Sequence, residues 1–140
     1  GVAYLGDLFP RKGVPVVDTD NGGSGIAFPE TLARAVAEID GDGIRRVITG
    51  HGAFPTTYAG RGRRERGTNR AWSGFYTWDD LVEYADFTRD FLAAVEEAFR
   101  AGQSAAAAVA SLQLPERYAD YDMERASASV AAIYAELAAR

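Results

Sequence analysis

Arg45-Arg46-Val47-Ile48-Thr49-Gly50-His51-Gly52 is a short β-branched run stopped by glycines on either side of the chain's one histidine. Val, Ile and Thr favour extended backbone and the glycines allow a sharp turn, so the stretch reads as a strand ending on an imidazole. A matching run, Val2-Ala3-Tyr4-Leu5, is halted by Gly6-Asp7. Between them Pro29 suits the first turn of a helix, and Leu32, Val36 and Ile39 recur at helical spacing up to Gly41. Strand, crossover, helix and strand in this order predict a parallel pair with a right-handed connection, so both strands end on the same edge of the sheet. Asp7 and His51 then share one rim.

Downstream, Phe54 to Thr77 is rich in Gly, Arg, Thr and Ser without periodicity and predicts a surface loop of roughly 20 residues. The chain then turns helical. Thr77-Trp78-Asp79-Asp80 resembles a capping box, and Leu81, Tyr84, Phe87, Phe91, Val95 and Phe99 keep helical spacing up to Gly102. Ser104 to Leu112 predicts a shorter alanine-rich helix stopped near Pro115, and Asp122 suits the cap of a last one through Met123, Val130, Ile133 and Leu137. This gives a strand-helix-strand part over 1–57, an Arg/Gly-rich loop over 58–77, and a helical part over 78–140 of the same domain.

With 140 residues, 47% of them hydrophobic, the chain suffices for one core and is too apolar to be disordered. It contains no unbroken apolar run long enough to span a membrane. The absence of cysteine excludes disulfides, thiol nucleophiles and thiolate zinc sites, and a single histidine leaves any zinc site within the chain incomplete. A net charge of −5 argues against general nucleic-acid binding. Five arginines and one glutamate between Arg61 and Arg70 nevertheless make a basic loop on an acidic body. Such a loop reads mainly as a solvated tip, with steering of anionic substrates as its functional alternative. Gly1-Val2-Ala3-Tyr4-Leu5 carries no signal-peptide pattern and starts inside a strand-like run, which predicts natural sequence upstream. Bacterial cytoplasm and export both stay open.

The candidate residues each have a plain structural role as an alternative. Asp7 is a turn aspartate or a carboxylate delivered to the rim, and His51 is a structural histidine or a metal ligand or proton carrier. Their meeting on one edge favours chemistry. Asn21-Gly22-Gly23-Ser24-Gly25, ahead of a helix, is a flexible connector or an anion-cradling turn, which makes Asn21, Gly22, Gly23 and Ser24 candidate substrate-binding residues. Trp72, Phe75, Tyr76 and Trp78 read as anchors for the following helix, and the Tyr84, Phe87, Phe91 stripe reads as core.

Tyr4-Leu5-Gly6-Asp7-Leu8-Phe9, Val14-Pro15-Val16-Val17-Asp18, Gly22-Gly23-Ser24 and Val47-Ile48-Thr49-Gly50-His51-Gly52, in this order, resemble the second half of metallo-β-lactamase-fold hydrolases. Trp78 to Tyr84, Ala101-Gly102-Gln103-Ser104, Leu114-Pro115 and Tyr118 to Tyr121 look like a bacterial branch of that superfamily. The resemblance implies an α/β (α+β) fold, the C-terminal sheet-and-helix layer of an αββα sandwich with a helical C-terminal tail. It also implies two zinc ions, with Asp7 bridging them and His51 completing the shell of the second. The implied reaction is attack by a metal-bound hydroxide on an ester, thioester, lactone or amide; no catalytic residue beyond the metal ligands is assigned. The superfamily's H-x-H-x-D-H motif precedes the bridging aspartate and is not in these 140 residues. The chain alone is therefore expected to be inactive and to bind zinc weakly. Its expected partners are a missing N-terminal half, or a second copy, docked on an open sheet face, together with a small-molecule substrate; neither nucleic acid nor membrane is expected. The alternatives are a non-catalytic α/β assembly module and phosphate binding at the Gly22-Gly25 turn.

Overall fold

The computed structural model describes residues 1–39, 41–50 and 76–140. It contains β1 (Val2–Gly6), α1 (Phe28–Glu38), β2 (Arg46–Thr49), α2 (Trp78–Arg100), α3 (Ala105–Ser111) and α4 (Ala126–Ala138), with single 3-10 turns at Thr19–Asn21 and Glu116–Tyr118. The mixture of helices with a small sheet is compatible with the α+β class. Two compact units interleave along the sequence, Gly1–Arg11 with Asp40–Leu81, and Lys12–Ile39 with Val82–Arg140. Among the described residues no helix is long and apolar enough to cross a membrane.

In the first unit β1 and β2 pair in parallel, Val2 opposite Arg46, Ala3 opposite Val47 and Tyr4 opposite Ile48. The register then slips, with Gly6 opposite Thr49, so Leu5 is the extra residue of a bulge. On its other side β2 meets Tyr76 in an antiparallel bridge, Val47 donating to the Tyr76 carbonyl at 2.7 Å and receiving at 3.1 Å. The two faces of the sheet differ. Leu5, Val47 and Thr49 are buried, whereas Val2 and Tyr4, one position out of phase, are 59% and 72% exposed. Phe9 is buried with its ring 4.8 Å from that of Tyr76.

The expected capping box opens α2. Asp80 accepts from the Thr77 amide at 2.7 Å, and the Asp80 amide donates to the Thr77 hydroxyl at 3.2 Å. A side chain at Gly41 would strike the indole of Trp78, so the glycine leaves room for that ring.

The second unit has an aromatic core. Tyr84, Phe87, Phe91 and Val95 of α2 are buried as their spacing predicts, and the Phe87 ring lies 4.2 Å from Tyr121 and 5.2 Å from Tyr118. Ser104 caps α3, its hydroxyl accepting from the Ala107 amide at 3.2 Å. In α1, Pro29 occupies the first turn and Leu32 is fully buried. Ile39 departs from the expected face, because its extended backbone closes the helix and leaves it 39% exposed.

The last helix also starts later than expected. Asp122 is held in a parallel bridge to Gly13, its amide donating to Lys12 at 3.2 Å and its carbonyl accepting from Val14 at 2.9 Å. That extended pairing postpones helical winding to Ala126, while the Asp122 carboxylate receives the Glu124 amide at 2.8 Å.

Candidate metal-binding rim

Because β1 and β2 are parallel neighbours, their carboxyl ends emerge on the same edge. One residue past β1 stands Asp7, and one residue past β2 stands Gly50. The bulge at Leu5 and the left-handed Gly6, with φ of 54°, turn the chain sharply there. Leu8 donates back to the Leu5 carbonyl at 3.1 Å and Phe9 to the Gly6 carbonyl at 3.3 Å, so Asp7 rides on a tight, hydrogen-bonded turn. The same Gly6 carbonyl accepts from the Gly50 amide at 2.8 Å and ties the two strand ends together.

Asp7 is solvent-exposed, and its carboxylate lies directly against the backbone of Gly50. A methyl group on Gly50 would collide with Asp7 Oδ1. His51 follows Gly50 in sequence and lies outside the described residues, as do the Arg61 to Arg70 loop, Trp72 and Phe75. The sharing of one edge by the two strand ends is thus present, and the carboxylate half of the expected pair sits beside the residue that precedes the imidazole. Among the described residues no group of three or more His, Cys, Asp or Glu side chains could hold a metal ion.

The glycine-rich turn belongs to the second unit, and its donors are engaged within the protein. Asn21 donates its backbone and side-chain amides to the Asp18 carboxylate at 3.2 and 2.8 Å. Gly22, at φ of 82°, donates to the Thr19 carbonyl at 3.3 Å, and Gly23 to the Asp18 carbonyl at 2.7 Å. The Ser24 hydroxyl and the Gly25 amide both bind the Glu136 carboxylate at 2.6 Å. An anion-binding geometry has formed, with the chain's own carboxylate as the anion. Glu136 lies more than a hundred residues from the turn and carries no local motif, so this pairing is not legible from spacing.

A second polar cluster joins α2 to the turn at Glu116–Tyr118. Asp90 accepts from the Tyr118 hydroxyl at 2.8 Å and from Arg117 at 3.0 Å. Burial, reinforced by the Asp90 carboxylate, pushes the Tyr118 hydroxyl up to about 12. Burial alone would raise Asp90, but the hydrogen bonds from Tyr118 and Arg117 and the charge of Arg89 outweigh it and hold Asp90 below the usual carboxylate range. The cluster is a brace in the second unit.

Comparison of the chain with family models, with curated proteins and with solved structures finds no match.

Proposed function

We propose that this chain is the C-terminal sheet-and-helix layer of a metal-dependent hydrolase of the metallo-β-lactamase fold, and that Asp7 and His51 are its ligands to a zinc centre. The observation that carries the proposal is the seat of the Asp7 carboxylate on Gly50, at the shared edge of two parallel strands, Gly50 being the residue that precedes His51 in the sequence. The order of the motifs supports the same placement.

In kind, the donors suit zinc, which takes carboxylate oxygen and imidazole nitrogen readily. In number they do not, because a zinc site takes about four ligands and these are two. The remaining ligands would come from a further polypeptide layer, and the exposed sheet face bearing Val2 and Tyr4 is the surface that would receive it. Zinc, when bound, supplies Lewis acidity toward an ester, thioester, lactone or amide carbonyl. The chain's own contribution is positional: the bulge at Leu5, the turn at Gly6 and the bond between Gly50 and Gly6 hold one anionic oxygen group at the rim.

The test is a zinc titration of the 140-residue chain followed by nuclear magnetic resonance. With only one histidine, the imidazole signal needs no deconvolution. The Asp7 carboxyl and His51 imidazole resonances should move together, with a weak common midpoint. Separate midpoints, or no response at either, would refute a shared site. The exposed Val2 and Tyr4 also favour a second reading, a non-catalytic assembly module, which is distinguished by sheet-face association with no zinc response at Asp7.

A further inference from the structure

We infer that the Asn21-Gly22 peptide is a site of self-modification, at which Asn21 loses its side-chain amide through a cyclic imide, and that the Asp18 carboxylate restrains that reaction. The turn belongs to the second unit, and its chemistry is independent of the zinc reading.

Imide formation needs an asparagine followed by a residue whose backbone nitrogen is unshielded. The chain has two asparagines, Asn21 before Gly22 and Asn69 before Arg70, and only the first precedes a glycine. Lacking a Cβ, glycine leaves that nitrogen open to approach and lets the backbone reach conformations that other residues avoid. Asn21, Gly22 and Gly23 are exposed, and a Cβ on Gly22 would meet nothing within 4 Å, so water reaches the peptide freely. In the reaction the Gly22 nitrogen gives up its proton and bonds to Asn21 Cγ, the bond from Cγ to Nδ2 breaks, and ammonia leaves with that proton. Water then opens the imide at either carbonyl and leaves aspartate or its β-linked isomer. Water is consumed and ammonia released, with no change of oxidation state.

The folded turn opposes the attack. Asn21 donates its backbone amide and its Nδ2 to the Asp18 carboxylate, at 3.2 and 2.8 Å. That double hold folds the side chain back over its own N–H toward a preceding residue, whereas the attacking nitrogen belongs to the following one. The Gly22 N–H is itself engaged by the Thr19 carbonyl at 3.3 Å, and the Gly23 amide by the Asp18 carbonyl at 2.7 Å. A carboxylate beside the peptide also disfavours the anionic nitrogen that must form, as like charges do. Asp18 therefore restrains the reaction both by its grip on Asn21 and by its charge.

The experiment incubates the full 140-residue chain in mildly alkaline water labelled with heavy oxygen and reads the label at each asparagine by peptide mass spectrometry. Parent, Asp18→Ala and Gly22→Ala are compared, with melting temperatures to establish which samples are folded. In denaturant the parent should take up label at Asn21 and far less at Asn69, and Gly22→Ala should suppress the uptake at Asn21 because a methyl group then shields the nitrogen. The folded parent should convert more slowly than the denatured one. Folded Asp18→Ala should convert about tenfold faster than the folded parent, the rate equivalent of roughly 1.4 kcal/mol, and the two should converge in denaturant. No label at Asn21 in the denatured parent, or undiminished label in Gly22→Ala, would overturn the site. Folded Asp18→Ala that converts no faster than the folded parent, or a difference that persists unchanged in denaturant, would overturn the restraint. Should Asp18→Ala unfold, Asp18→Ser decides in its place under the same two outcomes, since its hydroxyl still caps the Asn21 backbone amide but releases Nδ2.

Discussion

Glu136 holds the hydroxyl of Ser24 and the amide of Gly25 at 2.6 Å each, joining the last helix to the glycine-rich turn. Hydrogen bonds to an ionised group are among the stronger ones, and these are partly shielded from water. Glu136→Ala should destabilise the second unit by about 2 kcal/mol in thermal or denaturant unfolding. The same pairing bears on phosphate, which would have to displace Glu136 from the turn. Phosphate should leave the Ser24 and Gly25 amide resonances unmoved in the parent.

Next to that clasp, Gly25 is tightly packed. A Cβ there would lie 2.5 Å from Ile133 Cγ1 and 3.3 Å from both Ile133 Cδ1 and Val17 Cγ2. Ile133 is 2% exposed and has little room to yield. Gly25→Ala should therefore cost about 1 to 3 kcal/mol, the usual range for overpacking. Partial recovery of the melting temperature in the Gly25→Ala, Ile133→Ala double variant would identify the contact as the cause.

The Tyr118 hydroxyl makes stability fall at high pH. Its value is raised from about 10 when unfolded to about 12 when folded, chiefly by burial and then by Asp90. Its protonated form is thus favoured by folding, so the contribution is complete below pH 10 and is lost as pH rises through about 12. Asp90 has the opposite sign: its folded value is lowered, so its contribution is present above the ordinary carboxylate value and fades on acidification below it. Unfolding midpoints measured against pH should show both losses, and Tyr118→Phe should flatten the alkaline one.

Val2 and Tyr4 form the apolar part of the exposed sheet face, and apolar side chains so placed favour association. In the absence of another layer, the chain should associate with itself through this face. Sedimentation should show concentration-dependent mass for the parent and a shift toward monomer for Val2→Thr, Tyr4→Ser. A parent that stays monomeric throughout would contradict the assignment of this face.

Local signals carried the elements well. The run Val47-Ile48-Thr49, the capping residues Thr77 and Asp80, and the stripe Tyr84, Phe87, Phe91 each encode their structure within a few residues, and each stands where its pattern predicts. Long-range partners were not legible. Asp122 reads locally as a helix cap, and only its bridge to Gly13 delays the helix to Ala126. Ile39 keeps helical spacing, yet its extended backbone ends the periodicity one residue after Glu38. At the rim, strand order and the glycines suggest a shared edge, but the contact between Gly50 and Asp7 depends on a bulge at Leu5 that no pattern announces.

The central claim is that Asp7 and His51 ligate one zinc ion, and a calorimetric cycle addresses it most directly. Zinc affinity is measured for the parent, Asp7→Asn, His51→Gln and the double variant of the 140-residue chain. Two ligands of one ion are coupled, so each single variant should lose most of the binding and the double variant little more. Losses that simply add, or parent affinity in either single variant, would contradict the claim.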